Sequence, residues 1–324
     1  MIECMLAAPS SGSGKTALAC ALLAALQKRG LAPCAFKCGP DYIDPMFHRS
    51  VLGVESHNLD LFLCGEDAAR TLYARHAAGH GAAVVEGVMG FYDGVGGVTA
   101  RASAWHVART LDLPVLLGND ADCAAVGEYF QGAGRGLRDF VVLTLGTGLG
   151  AGIILDGRLR GGESSSEAGH MVLHAGGEPC PCGRRGCWEQ YASATALIRR
   201  TEAAMAAHPE SALCRLAEEA GGVDGRTPFL AAEAGDETAL AVCRAYVEEL
   251  AEGTASLINI LRPEAVAFGG GVAGAPEHLL LEPLRRRVGA LCFSRHGGRA
   301  TRILRAELGN DAGVIGAALL GRVI

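Results

Sequence analysis

His170, Cys180, Cys182 and Cys187 stand close together between Glu163 and Tyr191, in a stretch rich in glycine and interrupted by proline. One imidazole and three thiolates suit a tetrahedral, structural zinc site, in which four protein ligands leave no position for water or substrate. So short a loop cannot build a core of its own, and a metal supplies folding energy that apolar burial cannot. Glu167 precedes His170 with the i, i+3 spacing of a helical turn, and Glu189 follows the last cysteine. The alternative is a chance grouping in a chain with 12 cysteines. Others, such as Cys20, Cys38 and Cys243, sit singly in apolar segments and read as small buried hydrophobes of a reducing compartment.

A second set of chemical groups opens the chain. An apolar run, Met1 to Ala8, precedes Pro9-Ser-Ser-Gly12-Ser-Gly14-Lys15-Thr16, and a helical pattern follows from Ala17 to Arg29. Strand, glycine loop and helix come in the order a phosphate cradle requires. Backbone N–H groups around Gly12 and Gly14 would wrap the phosphates, Lys15 offers a point charge, and the Thr16 hydroxyl can ligate Mg²⁺. Pro9 stands where the consensus has its first glycine. Strands expected at Leu31–Lys37 and Ala82–Val85 lead into Asp41 and Asp44, and into Glu86 and Asp93. Carboxylates just past the carboxyl ends of parallel strands share a rim with the loop and could hold Mg²⁺ there. Asp41 and Asp44 suit turn capping beside Pro and Gly equally well.

These residues fall in longer strings: APSSGSGKT from Ala8, KCGPDYIDP from Lys37, NLD from Asn58 and EGVMGFYDG from Glu86. Through them, residues 1–117 resemble the N-terminal ATP-binding domain of cobyrinic acid a,c-diamide synthase. The resemblance implies ATP at Gly14, Lys15 and Thr16. It also implies magnesium or substrate-carboxylate roles for Asp41, Asp44, Glu86 and Asp93, in a reaction that activates a corrinoid carboxylate as an acyl phosphate. Neither the rest of that family's ATP domain nor its glutamine amidotransferase half follows in this chain.

Arg101 to Asp112 is helix-like and Leu113–Leu117 reads as a strand, after which the sequence changes character with no linker. Asn119-Asp120-Ala121 opens a helix running to Phe130, for which Asn-Asp suits an N-cap. A strand at Phe140–Leu145 meets Gly146-Thr147-Gly148-Leu-Gly150-Ala-Gly152, followed by a strand at Ile153–Leu155 and a hairpin at Asp156-Gly157; glycine lets backbone approach phosphates closely. Ala194–Glu219 and Pro228–Ile260 carry helical apolar faces for packing. A strand at Ala265–Phe268 leads to Gly269-Gly270-Gly271, and a strand at Ile303–Leu308 precedes a small-residue helix. His174, His278 and His296 have no evident partners.

In this order, and with the cysteine stretch, these motifs make residues 118–324 resemble the ROK family of sugar kinases, glucokinase-like. The resemblance implies Asp120 as general base on a hexose hydroxyl, a task that asks a carboxylate only to accept the proton during phosphoryl transfer. It further implies sugar contacts from Asn119, Glu167, His170 and Glu189, and nucleotide turns at Gly146, Thr147 and Gly148 and at Gly269, Gly270 and Gly271. Zinc on His170, Cys180, Cys182 and Cys187, Mg²⁺ with ATP, and homo-oligomers belong to the same implication. The expected fold is α/β: a truncated P-loop parallel sheet joined to an actin/hexokinase-like (ROK) C-terminal lobe with a zinc loop. Residues 1–117 contain no D-x-G-x-T phosphate hairpin, with which the family's first lobe begins, and no helix-turn-helix such as a ROK repressor needs.

With 324 residues the chain has room for two domains, and its net charge of −6 is spread along it without the basic stripe that nucleic acid requires. No apolar run reaches the length of a membrane span, and the chain does not start like a signal peptide, so the expected compartment is the cytoplasm. The expected partners are ATP and a small-molecule sugar. A corrinoid acid replaces the sugar if the chain is an amide-forming ligase, and a fusion that binds ATP and zinc without turnover is the third possibility.

Overall fold

The computed structural model describes residues 1–8, 10–12, 14–113, 118–161, 165–293 and 300–323, and the chain divides into two compact units, Met1–Val115 and Leu116–Ile324. In the first, β1 (Ile2–Leu6), β2 (Pro33–Cys38), β3 (Ser56–Leu59) and β4 (Ala82–Glu86) form a parallel sheet in the order β1-β4-β2-β3. Parallel strands need crossovers, supplied by α1 (Lys15–Lys28), α2 (Ile43–Ser50) and α3 (Gly65–Ala77); α4 (Ala104–Thr110) follows β4. Helices cover both faces, which is why β2 and β4 are apolar runs without alternation. Ala35 and Val84 pack with Leu23 and Leu26 of α1, whereas their neighbours Phe36 and Val85 pack with Tyr73 of α3 and Val107 of α4.

Several boundaries differ from the sequence expectation. The helix after the glycine loop starts at Lys15, because Gly14 in the left-handed region (φ 77°) turns the chain directly into it. Strand β3 is additional; its Ser-His-Asn sequence is too polar to announce itself, and it lies at the sheet edge. The helix-like stretch from Arg101 is helical only from Ala104, where the Ser103 side chain accepts the His106 N–H as N-cap. Apart from Leu113, the expected Leu113–Leu117 strand lies outside the described residues.

The second unit is built on a five-stranded mixed sheet. It comprises β5 (Phe140–Leu145), β6 (Leu149–Leu155), β7 (Arg158–Arg160), β8 (Ala265–Gly269) and β9 (Arg302–Arg305), in the order β7-β6-β5-β8-β9. Strands β5, β8 and β9 run parallel, and β6 and β7 complete an antiparallel meander. One face carries α5 (Asp120–Gln131), with Ala125 on Phe140 and Val142. The other carries the main core. There Val141, Leu143 and Phe268 meet a helical layer of α6 (Glu189–Ala192), α7 (Ala194–Ala207), α8 (Ala212–Ala220), α9 (Thr227–Glu233), α10 (Glu237–Leu261) and α11 (Leu281–Leu291). Helix α12 (Asp311–Leu319) crosses α5 so closely that a Cβ on Gly316 would lie 1.6 Å from the Cys123 carbonyl oxygen.

Gly150 and Gly152 belong to β6 instead of a phosphate loop. A Cβ on Gly152 would lie 2.3 Å from Ala125 Cβ, and one on Gly150 2.8 Å from Ala121 Cβ, so the bare glycines let α5 press onto the sheet. Asp156 and Gly157, both at positive φ, make the expected hairpin turn into β7. No described helix is long and apolar enough to cross a membrane.

Candidate functional site

In the first unit the glycine loop and two strand ends bring Thr16, Lys37, Asp44 and Glu86 together. Thr16 Oγ1 donates to Glu86 Oε1 at 2.6 Å and lies 3.3 Å from Asp44 Oδ2. Lys37 Nζ reaches the same two oxygens, each at 2.6 Å. Burial opposes the Lys37 charge, but its hydrogen bonds to Asp44 and Glu86 prevail and its pKa is raised. Lys37 escaped the sequence reading, although a lone cation inside a buried strand implies a paired anion. Lys15 Nζ donates to the carbonyls of Ser10 (2.9 Å) and Met89 (2.7 Å).

Asp41 and Asp93 also hold turns. Asp41 Oδ1 accepts the Ile43 and Asp44 N–H groups at the start of α2, and Asp93 Oδ2 accepts the Gly90 N–H at 2.8 Å. The oxygens of Thr16, Asp44 and Glu86 are a hard donor set that fits Mg²⁺, and Glu86 Oε2 is buried with no hydrogen-bond partner among the described residues. Beside them a cleft of about 730 Å³ is lined by Asp41, Tyr42, Phe62, Met89, Asp93 and Val95, among others.

In the second unit the ligand atoms of His170, Cys180, Cys182 and Cys187 all lie within 4.8 Å of one another. Cys180 Sγ is 3.5 Å from His170 Nδ1, and Cys182 Sγ is 3.6 Å from Cys187 Sγ. The loop that presents them is a small knuckle. Gly183 N–H returns to the Cys180 carbonyl, Cys180 N–H bonds the Arg184 carbonyl, and Trp188 N–H bonds Met171. Trp188, fully buried, anchors it by donating from Nε1 to the Glu249 carbonyl of α10. Burial pushes the Cys180 thiol up to about 12 and Cys187 upward, while the Arg184 N–H pulls Cys182 down. One imidazole and three sulfurs at this spacing fit a tetrahedral Zn²⁺.

The expected helical turn at Glu167–His170 is a 3₁₀ turn, Ala168–His170. Its Gly169 lies on β6, where a Cβ would meet the Leu149 carbonyl oxygen at 2.2 Å. Glu189 Oε1 sits 3.2 Å from Cys180 Sγ and 3.6 Å from His170 Nδ1, and Glu167 Oε2 lies 3.9 Å from His170 Nε2. His174, expected to be unpartnered, contacts Glu249 Oε2 at 2.7 Å and packs edge-on against Tyr191. His278 is exposed, and His296 lies outside the described residues.

Two glycine turns meet at the carboxyl end of β5, and the first borders this group. The Gly146–Gly148 turn is tied to the start of α7, with Ala194 N–H on the Gly146 carbonyl and Thr195 Oγ1 on that of Thr147. A Cβ on Gly148 would lie 3.0 Å from Glu189 Oε2. Gly270, at φ 84°, would set a Cβ 2.6 Å from the Leu145 carbonyl oxygen, so the Gly269–Gly271 turn abuts the end of β5. Asn119 caps α5, and its Oδ1 and that of Asp120 both accept the Ala121 N–H at 2.8 Å. Asp122, not foreseen from sequence, is 4% exposed, and its Oδ1 has no partner among the described residues. Burial, with the charges of Glu167 and Asp120, pushes its pKa up to about 6. Three carboxylates therefore share one neighbourhood at the start of α5. An apolar cleft of about 470 Å³ beside α11 and β9, lined by Val288 and Ile303, lies away from these groups.

The model of the ROK family matches residues 104–323. The glucokinase of Halalkalibacterium halodurans is 41% identical over 208 residues, which are 63% of this chain and 62% of that protein. The cobyrinate a,c-diamide synthase of Gloeobacter violaceus is 52% identical over 120 residues, 37% of this chain and 26% of that protein. A crystal structure of a ROK family glucokinase from Streptomyces griseus, in complex with glucose and AMPPNP, has a TM-score of 0.61 and 36% identity, covering 80% of this chain and 87% of that one. This chain thus spans less than two thirds of the H. halodurans glucokinase and about a quarter of the synthase.

Proposed function

Because the chain belongs to the ROK family through residues 104–323, we propose that it is an ATP-dependent phosphotransferase acting on a hexose such as glucose, with Asp120 as general base. The observation that carries this reading is the convergence, within one unit, of Asp120 and Glu167 near Asp122, of Glu167, His170 and Glu189 around the metal ligands, and of Gly148 against Glu189. Carboxylate and imidazole groups give directional partners to a neutral polyol. Asn119 lies one residue before the base and adds an amide at the same helix start.

In this mechanism Asp120 accepts the proton of the attacking hydroxyl as the γ-phosphoryl group passes to it. In the turns at 146–148 and 269–271, Gly146 and Gly271 have open space where a Cβ would stand and leave the backbone free for the nucleotide, and positioning supplies most of the rate. Bound zinc would hold the knuckle in shape, so that His170 and Glu189 face the sugar from a fixed loop. Residues 1–103 lie outside the family match and carry no D-x-G-x-T hairpin to grip the nucleotide from a second side, so turnover should be slow. Incubation with ATP and glucose, N-acetylated hexosamines or cobyrinic acid, read by mass spectrometry, tests the reading: a hexose phosphate is expected, and none with any sugar would overturn it.

The Thr16, Lys37, Asp44 and Glu86 cluster favours a second reading for the first unit, a MgATP site that activates a corrinoid carboxylate toward amide formation. It predicts cobyrinic acid-dependent ADP release that Lys15→Ala abolishes. ATP and zinc binding without any turnover would instead mark an inactive fusion.

A further inference from the structure

A second group of metal-type donors lies in the first unit, outside the ROK match and apart from the glycine loop. Glu55 directly precedes edge strand β3, His57 is on that strand, His76 is in the last turn of α3, and His80 follows in the connection to β4. Glu55 Oε1 lies 2.7 Å from His57 Nε2 and 3.1 Å from His76 Nδ1, and its Oε2 is 3.6 Å from His80 Nε2. Among the described residues, every ion pair of Glu55 is to a histidine. No lysine or arginine neutralises it there.

We propose that Glu55, His57 and His76 form a second metal site, for a divalent transition ion such as Zn²⁺ or Ni²⁺. Their ligand atoms all lie within 4.8 Å of one another. Donors 2.0–2.1 Å from a tetrahedral ion stand about 3.3 Å apart, and with Glu55 Oε1 2.7 Å from His57 Nε2 and 3.1 Å from His76 Nδ1, side-chain rotation brings the three to one ion. Two imidazoles and a carboxylate prefer Zn²⁺, Ni²⁺ or Cu²⁺ to Mg²⁺ or Ca²⁺. The fold fixes the ligands from below. The His57 ring lies 6.2 Å from that of buried Phe36 and stacks on His76 at 3.6 Å, while Tyr73, one turn before His76 on α3, packs on Phe36 at 4.8 Å. Helix α3 ends at extended Ala78, and after Gly79 at φ 85° His80 Nε2 faces the second Glu55 oxygen. Side-chain exposures of 22% and 23% for His57 and His76 leave the site open to solvent, with a fourth position for His80 or water.

The full chain, stripped with chelator and dialysed against Zn²⁺, should hold two ions, falling to one in His57→Asn/His76→Asn and to one in Cys180→Ser/Cys182→Ser. Loaded with Co²⁺, only one of the two ions should show a thiolate charge-transfer band. A single ion in the wild type, or two in the histidine variant, would overturn the proposal. Should the histidine variant fold poorly, diethyl pyrocarbonate labelling of the wild type decides: Zn²⁺ should protect His57 and His76, and equal labelling with and without Zn²⁺ would refute the site.

Discussion

Asp122 shows how much of a site depends on burial, which a residue's name does not disclose. Within Asn119-Asp120-Ala121-Asp122 it reads as one more acidic residue favouring a helix N-terminus. Folding instead places it 4% exposed between the charges of Glu167 and Asp120. It keeps its proton to higher pH in the folded than in the unfolded chain, so stability is highest below the ordinary carboxylate range and falls as pH rises toward about 6. Asp122→Asn cannot ionise, and its stability relative to wild type should rise by about 1–3 kcal/mol between about pH 4 and about pH 7. Urea midpoints at the two pH values check this; a pH-independent difference would contradict it. The cysteines and His170 were legible because donor type and spacing are written in the sequence. Lys37 was not, since its role arises only when β2 and β4 lie side by side.

At the scale of elements, apolar period located β5 to the residue and β8 to within one, because both strands are buried on two faces. It missed β3, whose Ser-His-Asn sequence carries no such signal, and β7 followed only from the Asp156-Gly157 hairpin, its Arg-Leu-Arg sequence being silent. Gly150 and Gly152 misled because they serve packing, seating α5, and Gly253 of α10 likewise seats Trp188. A Cβ on Gly253 would fall 2.1 Å from the indole ring. Gly253→Ala should therefore push Trp188 from its hydrogen bond to Glu249 and cost about 1–3 kcal/mol. Equilibrium unfolding followed by tryptophan fluorescence measures this, and an unchanged midpoint would show that the knuckle is not held through Trp188.

At the scale of the whole molecule, two sets of motifs announced two ancestries, whereas the point of exchange was less legible. The ROK match begins at residue 104, upstream of 118, where the sequence changes character, because the segment through Leu113-Pro-Val suits both patterns. Two compact units should melt in two calorimetric transitions. With zinc bound as proposed, Cys182→Ser should lower only the one belonging to Leu116–Ile324, since it removes one of the four proposed ligands there. A single shared transition, displaced as a whole, would contradict independent folding.

In the proposed reaction Asp120 accepts the proton of a sugar hydroxyl as the γ-phosphoryl group of ATP passes to it. The most direct measurement is kcat for hexose-dependent ADP release in wild type, Asp120→Asn and Lys15→Ala. Loss of a general base predicts a fall of about 10²–10⁴-fold in Asp120→Asn, with Lys15→Ala unchanged. Undiminished turnover in Asp120→Asn, or its loss in Lys15→Ala, would contradict the account.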